Sequence, residues 1–442
     1  MARKPQPLLA LSLGLGLALL TILLTAPQAG LARLSGAASA SNPVIGEPFL
    51  IAPATGNLTC TTVAYNPHTG GFLAAYEFAP GFFTLVPVSR HGKVGWDSGS
   101  ILLFTGERPA LAFNSAANQF LLVYQEADGS GRYNIKGARL DGDGQSEGTG
   151  VFTITARPWH QQNPAVAWNQ HGAFEDFLVV WEDVDPTWVS QHWEIWGQRV
   201  AGTHGTGELG GQLIGSNFVI SASVNYLSEP DLAYNLNRNE YLVVYTSDDT
   251  PTGSPTDTDI YGTLVTAGGG VLVEHAIDET PWDQSQPAIA AYRLNYETPY
   301  LVVYDDTTDP QGSVWGRLVF TDGRPVPGFL DIATVHGTAE IEPDIASDEA
   351  LGGYTVVWSQ YDNDWDIYGR RVSGFGAMYD PFVVSHGFIA VVGMHERGPS
   401  VAGGAPVALA VWEDNGWGNF TYDIAGRLLG YRIQLPLVLR GE

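Results

Sequence analysis

Short apolar runs recur along the chain, and most of them are bounded by Gly, Asn, Asp or Pro. One run carries a proline followed by an apolar segment, as in RPALAFN from Arg108 and EPDLAYN from Glu229. Short runs rich in β-branched and aromatic residues, separated in this way, are typical of strands. The pattern therefore predicts an all-β protein.

The proline-containing run is repeated at a regular spacing, which indicates a repeat protein. A degenerate first copy, TTVAYN, begins at Thr61, which makes seven units. The prolines of the other six units, spaced by 55 to 66 residues, are Pro109, Pro164, Pro230, Pro287, Pro343 and Pro399.

Three more strand-like segments follow the first in most of the units. The second has the form YLVVY and ends in an aromatic residue, the third has the form DIYGRRV, and the fourth is shorter, as in VFTI. Seven such four-stranded antiparallel sheets predict a β-propeller. Unit seven lacks its fourth strand, and PFLIA at 48–52 precedes unit one, so we expect this N-terminal strand to complete the last blade and close the ring.

Two small residues recur at fixed places in the repeat. Alanine in the first strand predicts a crowded layer, where a larger side chain would cost about 1–3 kcal/mol. Glycine in the third strand predicts that something packs closely over the backbone, and we expect the repeated aromatic of the second strand to do so. The alanines are Ala64, Ala112, Ala167, Ala233, Ala290, Ala346 and Ala402, and the glycines are Gly137, Gly197, Gly262, Gly316, Gly369 and Gly426.

The combined pattern PxIAYN, YLVVWxD and DIYGRLV resembles the propeller repeats of exported bacterial proteins, which are loosely similar to WD40 and TolB-type blades. The resemblance covers Pro48 to about Leu429. The repeats themselves predict a seven-bladed propeller over 44–432, with blades starting near 61, 109, 164, 230, 287, 343 and 399. The resemblance does not imply one function, because propellers support many unrelated activities.

The N-terminal segment has the layout of an export signal, with Arg3 and Lys4 before an apolar stretch from Leu8 to Leu24. We expect 1–40 to be a signal peptide and leader, and a secreted or cell-surface protein without a membrane span in its mature chain. An uncleaved anchor is the alternative. Residues 433–442 are expected to be a tail, serving either as a surface-retention element or as an ordinary terminal strand.

Charge narrows the set of partners. The net charge of −26 comes from 47 acidic and 21 basic residues, and such a surface repels nucleic acid. The single cysteine, Cys60, excludes an internal disulfide. We expect a monomer whose ligand is a glycan or a protein.

Loops joining strands two and three are expected to share one face with the loops joining successive blades, and both sets are rich in acids and tryptophan. Indole rings stack on sugars and carboxylates bind hydroxyls, so this face is the predicted ligand-binding surface. The alternative is that the acids provide solubility and the rings cap blade edges. The candidate tryptophans are Trp159, Trp188, Trp193, Trp282, Trp365 and Trp417.

Clustered aspartates on the same face are candidate calcium ligands, because calcium prefers six to eight oxygens. They are Asp305, Asp306, Asp309, Asp362, Asp364 and Asp366. Ca²⁺ is therefore the one possible cofactor, and Asp366 also has an alternative role in a structural turn.

Catalytic motifs give no support to an enzyme. HExxH is missing. A GxSxG at Gly144–Gly148 and a GxGxxG at Gly205, Gly207 and Gly210 both lie between strand-like segments with no helix after them, so neither has the context of a catalytic motif. No catalytic residue is assigned. The leading hypothesis is a non-enzymatic binding scaffold. The alternatives are a glycan-active enzyme using two carboxylates of the loop face, and a structural envelope protein stabilised by calcium.

Overall fold

A computed structural model shows an all-β chain. It describes residues 44–53, 56–96, 102–171, 176–184, 193–202, 212–223, 225–248, 258–307, 312–335, 338–348, 352–385, 395–404, 406–415 and 421–430. Within these ranges, no helix has the length and apolar character needed to cross a membrane.

The strands form seven antiparallel sheets, which are the blades of a propeller. The first three blades are β3 (Thr59–Asn66), β4 (Gly71–Ala79), β5 (Phe82–Val88) and β6 (Leu103–Thr105); β7 (Glu107–Asn114), β8 (Gln119–Ala127), β9 (Tyr133–Asp141) and β10 (Ser146–Thr155); and β11 (Gln161–Trp168), β12 (Asp176–Val184), β13 (Trp193–Ala201) and β14 (Leu213–Ser221).

Blades four to six repeat the same four-stranded order. They are β15 (Tyr226–Asn235), β16 (Glu240–Asp248), β17 (Thr258–Thr266) and β18 (Val271–Asp278); β19 (Gln284–Ala291), β20 (Tyr300–Asp306), β21 (Ser313–Val319) and β22 (Leu330–Ala333); and β23 (Ala339–Asp348), β24 (Gly353–Tyr361), β25 (Trp365–Ser373) and β26 (Phe382–Val383).

Blade seven is built from both ends of the domain. Its own strands are β27 (Glu396–Ala402), β28 (Val407–Asp414) and β29 (Asp423–Gly430), and β2 (Phe49–Ala52) pairs with β29. Phe49 lies opposite Gly426, and β1 (Val44–Ile45) extends the same edge. The predicted closure by the N-terminal strand is confirmed.

Apolar layers hold the blades together. Each neighbouring pair shares one buried cluster, and the pair formed by the last and first blades is included. The layer between blades seven and one contains Ile51, Val63 and Val411. Every blade thus buries both faces against its neighbours, as the lack of an internal disulfide requires.

The repeated alanines lie in the first strand of each blade, which is the innermost strand. Six are buried and Ala167 is half-buried, and all seven belong to the layers or pack against them. Several of them also line the central channel. This agrees with the expected crowding.

The expected cover of the glycines is wrong. A Cβ on Gly137 would lie 2.6 Å from Phe152, and one on Gly369 would lie 2.9 Å from Phe382. Both phenylalanines belong to the outer strand, not to the second strand. The reason is the register within the sheet. Phe152 of the fourth strand pairs with Gly137, whereas the second-strand aromatic Tyr124 pairs with Lys136 and therefore points to the other face.

Candidate functional site

Loops between strands two and three meet the loops between blades on one face, here called the upper face. Arg157 precedes β11, and its guanidinium lies 3.3 Å from the carboxylate of Asp183 at the end of β12. Trp365, at the start of β25, forms an isolated parallel β-bridge through its backbone with His395, which precedes β27. The predicted sorting of loops is confirmed for the described residues.

Two loops on the upper face share a Pro-Trp-x-Gln motif and the same internal hydrogen bond. Pro158–Trp159–His160–Gln161 enters blade three, and Pro281–Trp282–Asp283–Gln284 enters blade five. In both, the glutamine is fully buried and its side-chain amide donates a hydrogen bond to the tryptophan carbonyl two residues earlier. Both indoles are left on the surface, with 39% of Trp159 and 48% of Trp282 exposed.

The first of these loops is fixed from two sides. The Arg132 guanidinium donates to the Pro158 carbonyl at 2.7 Å. The Arg157 guanidinium lies 3.5 Å from the centre of the Trp196 ring, in a cation–π contact. Such contacts order the backbone that presents Trp159.

The second loop is fixed by the adjoining loop of blade five. The Thr307 amide donates to the Asp283 carbonyl and the Asp283 amide donates to the Thr307 hydroxyl, both at 3.0 Å. The Gln284 amide also reaches the Asp306 carboxylate at 3.2 Å. Trp282 is therefore carried by an ordered loop, which lowers the entropy lost when a ligand binds.

The remaining candidate tryptophans have different surroundings. Trp193 and Trp365 are half-buried, and each opens the third strand of its blade. The Trp193 ring is 6.3 Å from that of His160, and the Trp365 ring is 5.4 Å from that of Tyr361. Trp188 and Trp417 lie outside the described residues.

A chain of side-chain acceptors links the blades around the upper end of the channel. The residue before the repeated proline has a positive φ of 50° to 58° in six blades and sits at a bulge of the innermost strand. Its backbone N–H donates to a side chain of the preceding blade: Arg108 to Glu77, Asn163 to Gln125, Glu229 to Glu182, Gln286 to Glu229, Glu342 to Asp305, and Gly398 to Glu342.

The acceptor comes from one of two strands. In blades one, two, three and five it follows the aromatic of the second strand, as Glu182 does. Blades four and six have Thr246 and Ser359 there, and the acceptor is Glu229 or Glu342 of the first strand. The two hydroxyls then donate to these glutamates. Where the second strand has a hydroxyl residue at this position, a glutamate of the first strand therefore supplies the acceptor instead.

Burial raises the pKa values of several acids at the upper end of the channel. Burial and the neighbouring Glu229 raise the pKa of Glu182, and burial, Glu342 and Glu229 raise that of Asp305 well above its usual range. Burial raises the pKa of Asp231, which follows Pro230 in the innermost strand, to about 7. Many acids of the upper face therefore connect blades instead of facing solvent.

The candidate calcium ligands make contacts of this kind. An Asp305 oxygen accepts from the Glu342 amide at 3.3 Å, and Asp306 binds Gln284. Asp364 lies 2.9 Å from His395, and Asp366 accepts from the Ser385 hydroxyl. No group of three metal-ligating side chains suited to an ion is found among the described residues, which include Asp362 but not Asp309.

Four carboxyl groups converge between blades six and seven. Burial and the carboxylates of Asp414, Asp366 and Asp364 raise the pKa of Glu396 to about 9, and Glu396 shares a hydrogen bond with Asp366. Glycosidases keep their two carboxyl groups roughly 5 to 9.5 Å apart. Direct contact between Glu396 and Asp366 does not fit that arrangement.

The chain matches no protein-family model and no curated protein in sequence. It is similar in fold to a Dyadobacter fermentans protein of unknown function, with a TM-score of 0.50, 11% identity, and 88% and 99% of the two chains covered. The β-propeller domain of Myceliophteria thermophila Cps50 (Swd1) gives 0.50, 9%, and 88% and 99%.

A third solved structure is that of an α-L-arabinofuranosidase, Arb93A of Fusarium graminearum. Its TM-score is 0.45 at 12% identity, with 71% of this chain and 93% of that chain covered. At these identities the first two comparisons support the propeller fold and show nothing of activity.

Proposed function

We propose that the protein is a non-enzymatic binding scaffold whose upper face takes a glycan. The observation that carries the proposal is the pair of identical Pro-Trp-x-Gln loops, each presenting an exposed indole from an ordered backbone. The glutamine at the base of each loop is buried and cannot contact a ligand. Its presence in both loops supports a role in fixing the backbone that carries the indole ring.

The chemistry of these rings favours a sugar over a peptide. An indole offers a flat apolar face that stacks on the apolar face of a pyranose, while neighbouring polar groups bind hydroxyls. Asp283 and His160 stand next to the two tryptophans in sequence. Two rings on separate blade junctions suit an extended ligand with repeated units, because two weak contacts on one chain reinforce each other.

Glycan-array screening followed by calorimetry on the best glycan tests this function. We expect Trp159→Ala and Trp282→Ala each to weaken binding and the double variant to abolish it. Phe375→Ala is the matched control, because Phe375 is 73% exposed and lies in a turn of the opposite face. Unchanged affinity in the double variant, or turnover of the bound glycan by the wild-type protein, would reject the proposal.

A location outside the cytoplasm is part of the proposal and rests on the sequence of the N-terminal segment, which lies outside the described residues. Mass spectrometry of the protein from culture medium and cell fractions tests it. Accumulation of the full-length chain in the cytoplasm would contradict it.

A further inference from the structure

A group of exposed apolar side chains, here called the lower-face patch, lies opposite the upper face where blades five and six meet. It consists of Leu294, Tyr296 and Phe375, which are 51%, 68% and 73% exposed. The first two belong to the segment that connects β19 to β20 in blade five, and Phe375 belongs to the turn between β25 and β26 in blade six. Single apolar residues are common on protein surfaces, whereas a cluster of large ones marks an interaction site.

Direct contacts between the two blades bring the patch together. Asn295 stands between the two exposed residues of blade five, and its side-chain amide donates to the Gly374 carbonyl of blade six at 2.7 Å. A Cβ on Gly374 would overlap the Tyr292 ring, so the glycine allows this close approach. Phe375 follows Gly374 directly. The three exposed side chains are therefore neighbours on one surface.

The blade-five segment is held in one conformation by the same asparagine. Asn295 is 3% exposed, and its side-chain oxygen accepts from the backbone amides of Glu297 and Thr298 at 3.2 and 3.0 Å. Its amide also donates to the Thr298 hydroxyl at 2.6 Å. The Thr321 amide donates to the Glu297 carbonyl at 3.0 Å. An ordered segment loses less entropy when a partner binds.

The repeat shows that a blade does not need so long a segment. Residues 292–299 connect the first two strands of blade five, and blade three also has a long connection at this place, 169–175. The other five blades connect these strands with four residues, which are 67–70, 115–118, 236–239, 349–352 and 403–406. The exposed leucine and tyrosine of blade five are thus part of an extension that strand pairing does not require.

The repeat also shows that the blade-six turn does not need a phenylalanine. Blades one, two, four, five and six share a turn with a glycine at φ 78° to 85°. In all five, the residue that opens the turn donates its N–H to the carbonyl four residues later. The residue before the glycine is His91, Asp143, Gly268, Asp322 or Phe375. A large apolar side chain at this place has no part in forming the turn.

Charge around the patch favours a basic partner. Glu297 and Asp380 are exposed and stand next to Tyr296 and Tyr379 in sequence. The base of the blade-five segment, Arg293, lines the mouth of the central channel. The whole chain has a net charge of −26, so its field attracts a positively charged protein and repels a second copy of itself.

We propose that the lower-face patch binds a protein segment in which an aromatic or aliphatic anchor is flanked by lysine or arginine. The anchor packs against Tyr296 and Phe375, because exposed aromatic rings supply most of the binding energy at protein interfaces. The flanking bases lie near Glu297 and Asp380, where opposite charge increases the association rate and selects the partner. The protein then binds a partner on the face opposite the tryptophan loops.

Selection of short random peptides displayed on phage tests this surface on the full-length protein. Counter-selection on Tyr296→Ser/Phe375→Ser removes peptides that bind elsewhere. We expect the remaining peptides to combine lysine or arginine with an aromatic or aliphatic residue. In calorimetry, a synthetic peptide of the enriched sequence should bind the double variant about tenfold or more weakly than wild type, the usual effect of losing aromatic anchors. Leu103→Ser is the matched control, because Leu103 is 65% exposed on β6 of blade one, and it should bind as wild type does.

The proposal would be overturned if no peptide distinguished wild type from the double variant, or if the enriched peptides were acidic. Light scattering tests the other occupant, since a wild-type dimer that Tyr296→Ser/Phe375→Ser abolishes would place a second copy on the patch. Thermal melting of the variant should match wild type, and Leu294→Ser gives a second test of binding at the same patch. Glycan binding at the tryptophan loops should be intact in all three variants, so the two proposals can fail separately.

Discussion

Glu396 lies directly opposite Asp414 in the register of β27 and β28. The same place in blade three pairs Gln161 with Asp183, and in blade five it pairs Gln284 with Asp306. An amide donates to a carboxylate without any change of protonation, but two carboxyl groups need a shared proton. Blade seven therefore keeps Glu396 protonated where other blades use glutamine.

Glu396→Gln should make stability less dependent on pH. The pKa of Glu396 is raised to about 9, so between the usual value of a glutamate, about 4.3, and pH 9 the folded state binds more protons than the unfolded state. Stability in the wild type must then fall as pH rises through this window. Urea unfolding at pH 5 and pH 8.5 should show a smaller decrease in the variant.

Glu47→Gln provides the control for this experiment, because Glu47 is exposed. It should keep the wild-type decrease. An equal decrease in Glu396→Gln and wild type would show that Glu396 is charged in the folded protein.

Glu229→Ala should lower the free energy of unfolding by about 1–3 kcal/mol, the cost of leaving the hydroxyl of the buried Thr246 without its acceptor. The Glu229 carboxylate accepts from the Gln286 amide at 2.9 Å and from the Thr246 hydroxyl at 3.1 Å. Glu229→Gln retains an acceptor oxygen and should lose less, as measured by urea unfolding. Equal losses would mean that the charge, and not the acceptor, matters.

Gly137→Ala should destabilise the fold by about 1–3 kcal/mol, because the new methyl group would lie 2.6 Å from Phe152 and 3.1 Å from Ile154. Gly129→Ala is the matched control, since a methyl group there meets nothing within 4 Å. Thermal melting of the two variants checks the prediction. A stable Gly137→Ala protein would show that the outer strand can shift.

Ile51→Ala should cost about 2–5 kcal/mol, the usual loss for a buried isoleucine. Ile51 is buried in the layer between blades seven and one, and it covers Gly426. Hydrogen exchange should become faster at the β29 amides Ile424–Gly426. Val151→Ala, at an exposed position of β10, should have little effect on stability or exchange.

The fold could be predicted from the sequence because its signals are local and repeated. Strand period and turn residues define one blade, and seven copies with a displaced strand define the ring. The cover of Gly137 could not be predicted this way, since it depends on which residue of the fourth strand pairs with the glycine, and register shifts interrupt that pairing. Sequence spacing contains no such information.

The site was predictable in part. The composition of its loops identified the upper face, and the Pro-Trp-x-Gln motif at Trp159 and Trp282 is visible in the sequence, although the buried glutamine needs the structure to be recognised. The acceptor is Glu182 of the second strand in blade three but Glu229 of the first strand in blade four, and this difference depends on contacts between blades. No spacing rule for single strands would have revealed it.

The pairing of Phe49 with Gly426 joins positions near the two ends of the described chain. The strand β2 therefore has no partner until β29 of the last blade has been made. Its apolar edge must stay unpaired throughout synthesis and any transport, which makes that interval the time of greatest exposure to aggregation. In a circularly permuted chain that begins at the turn before β4, β1 and β2 would be synthesised after β29. The time that β2 spends without its partner would then be shorter.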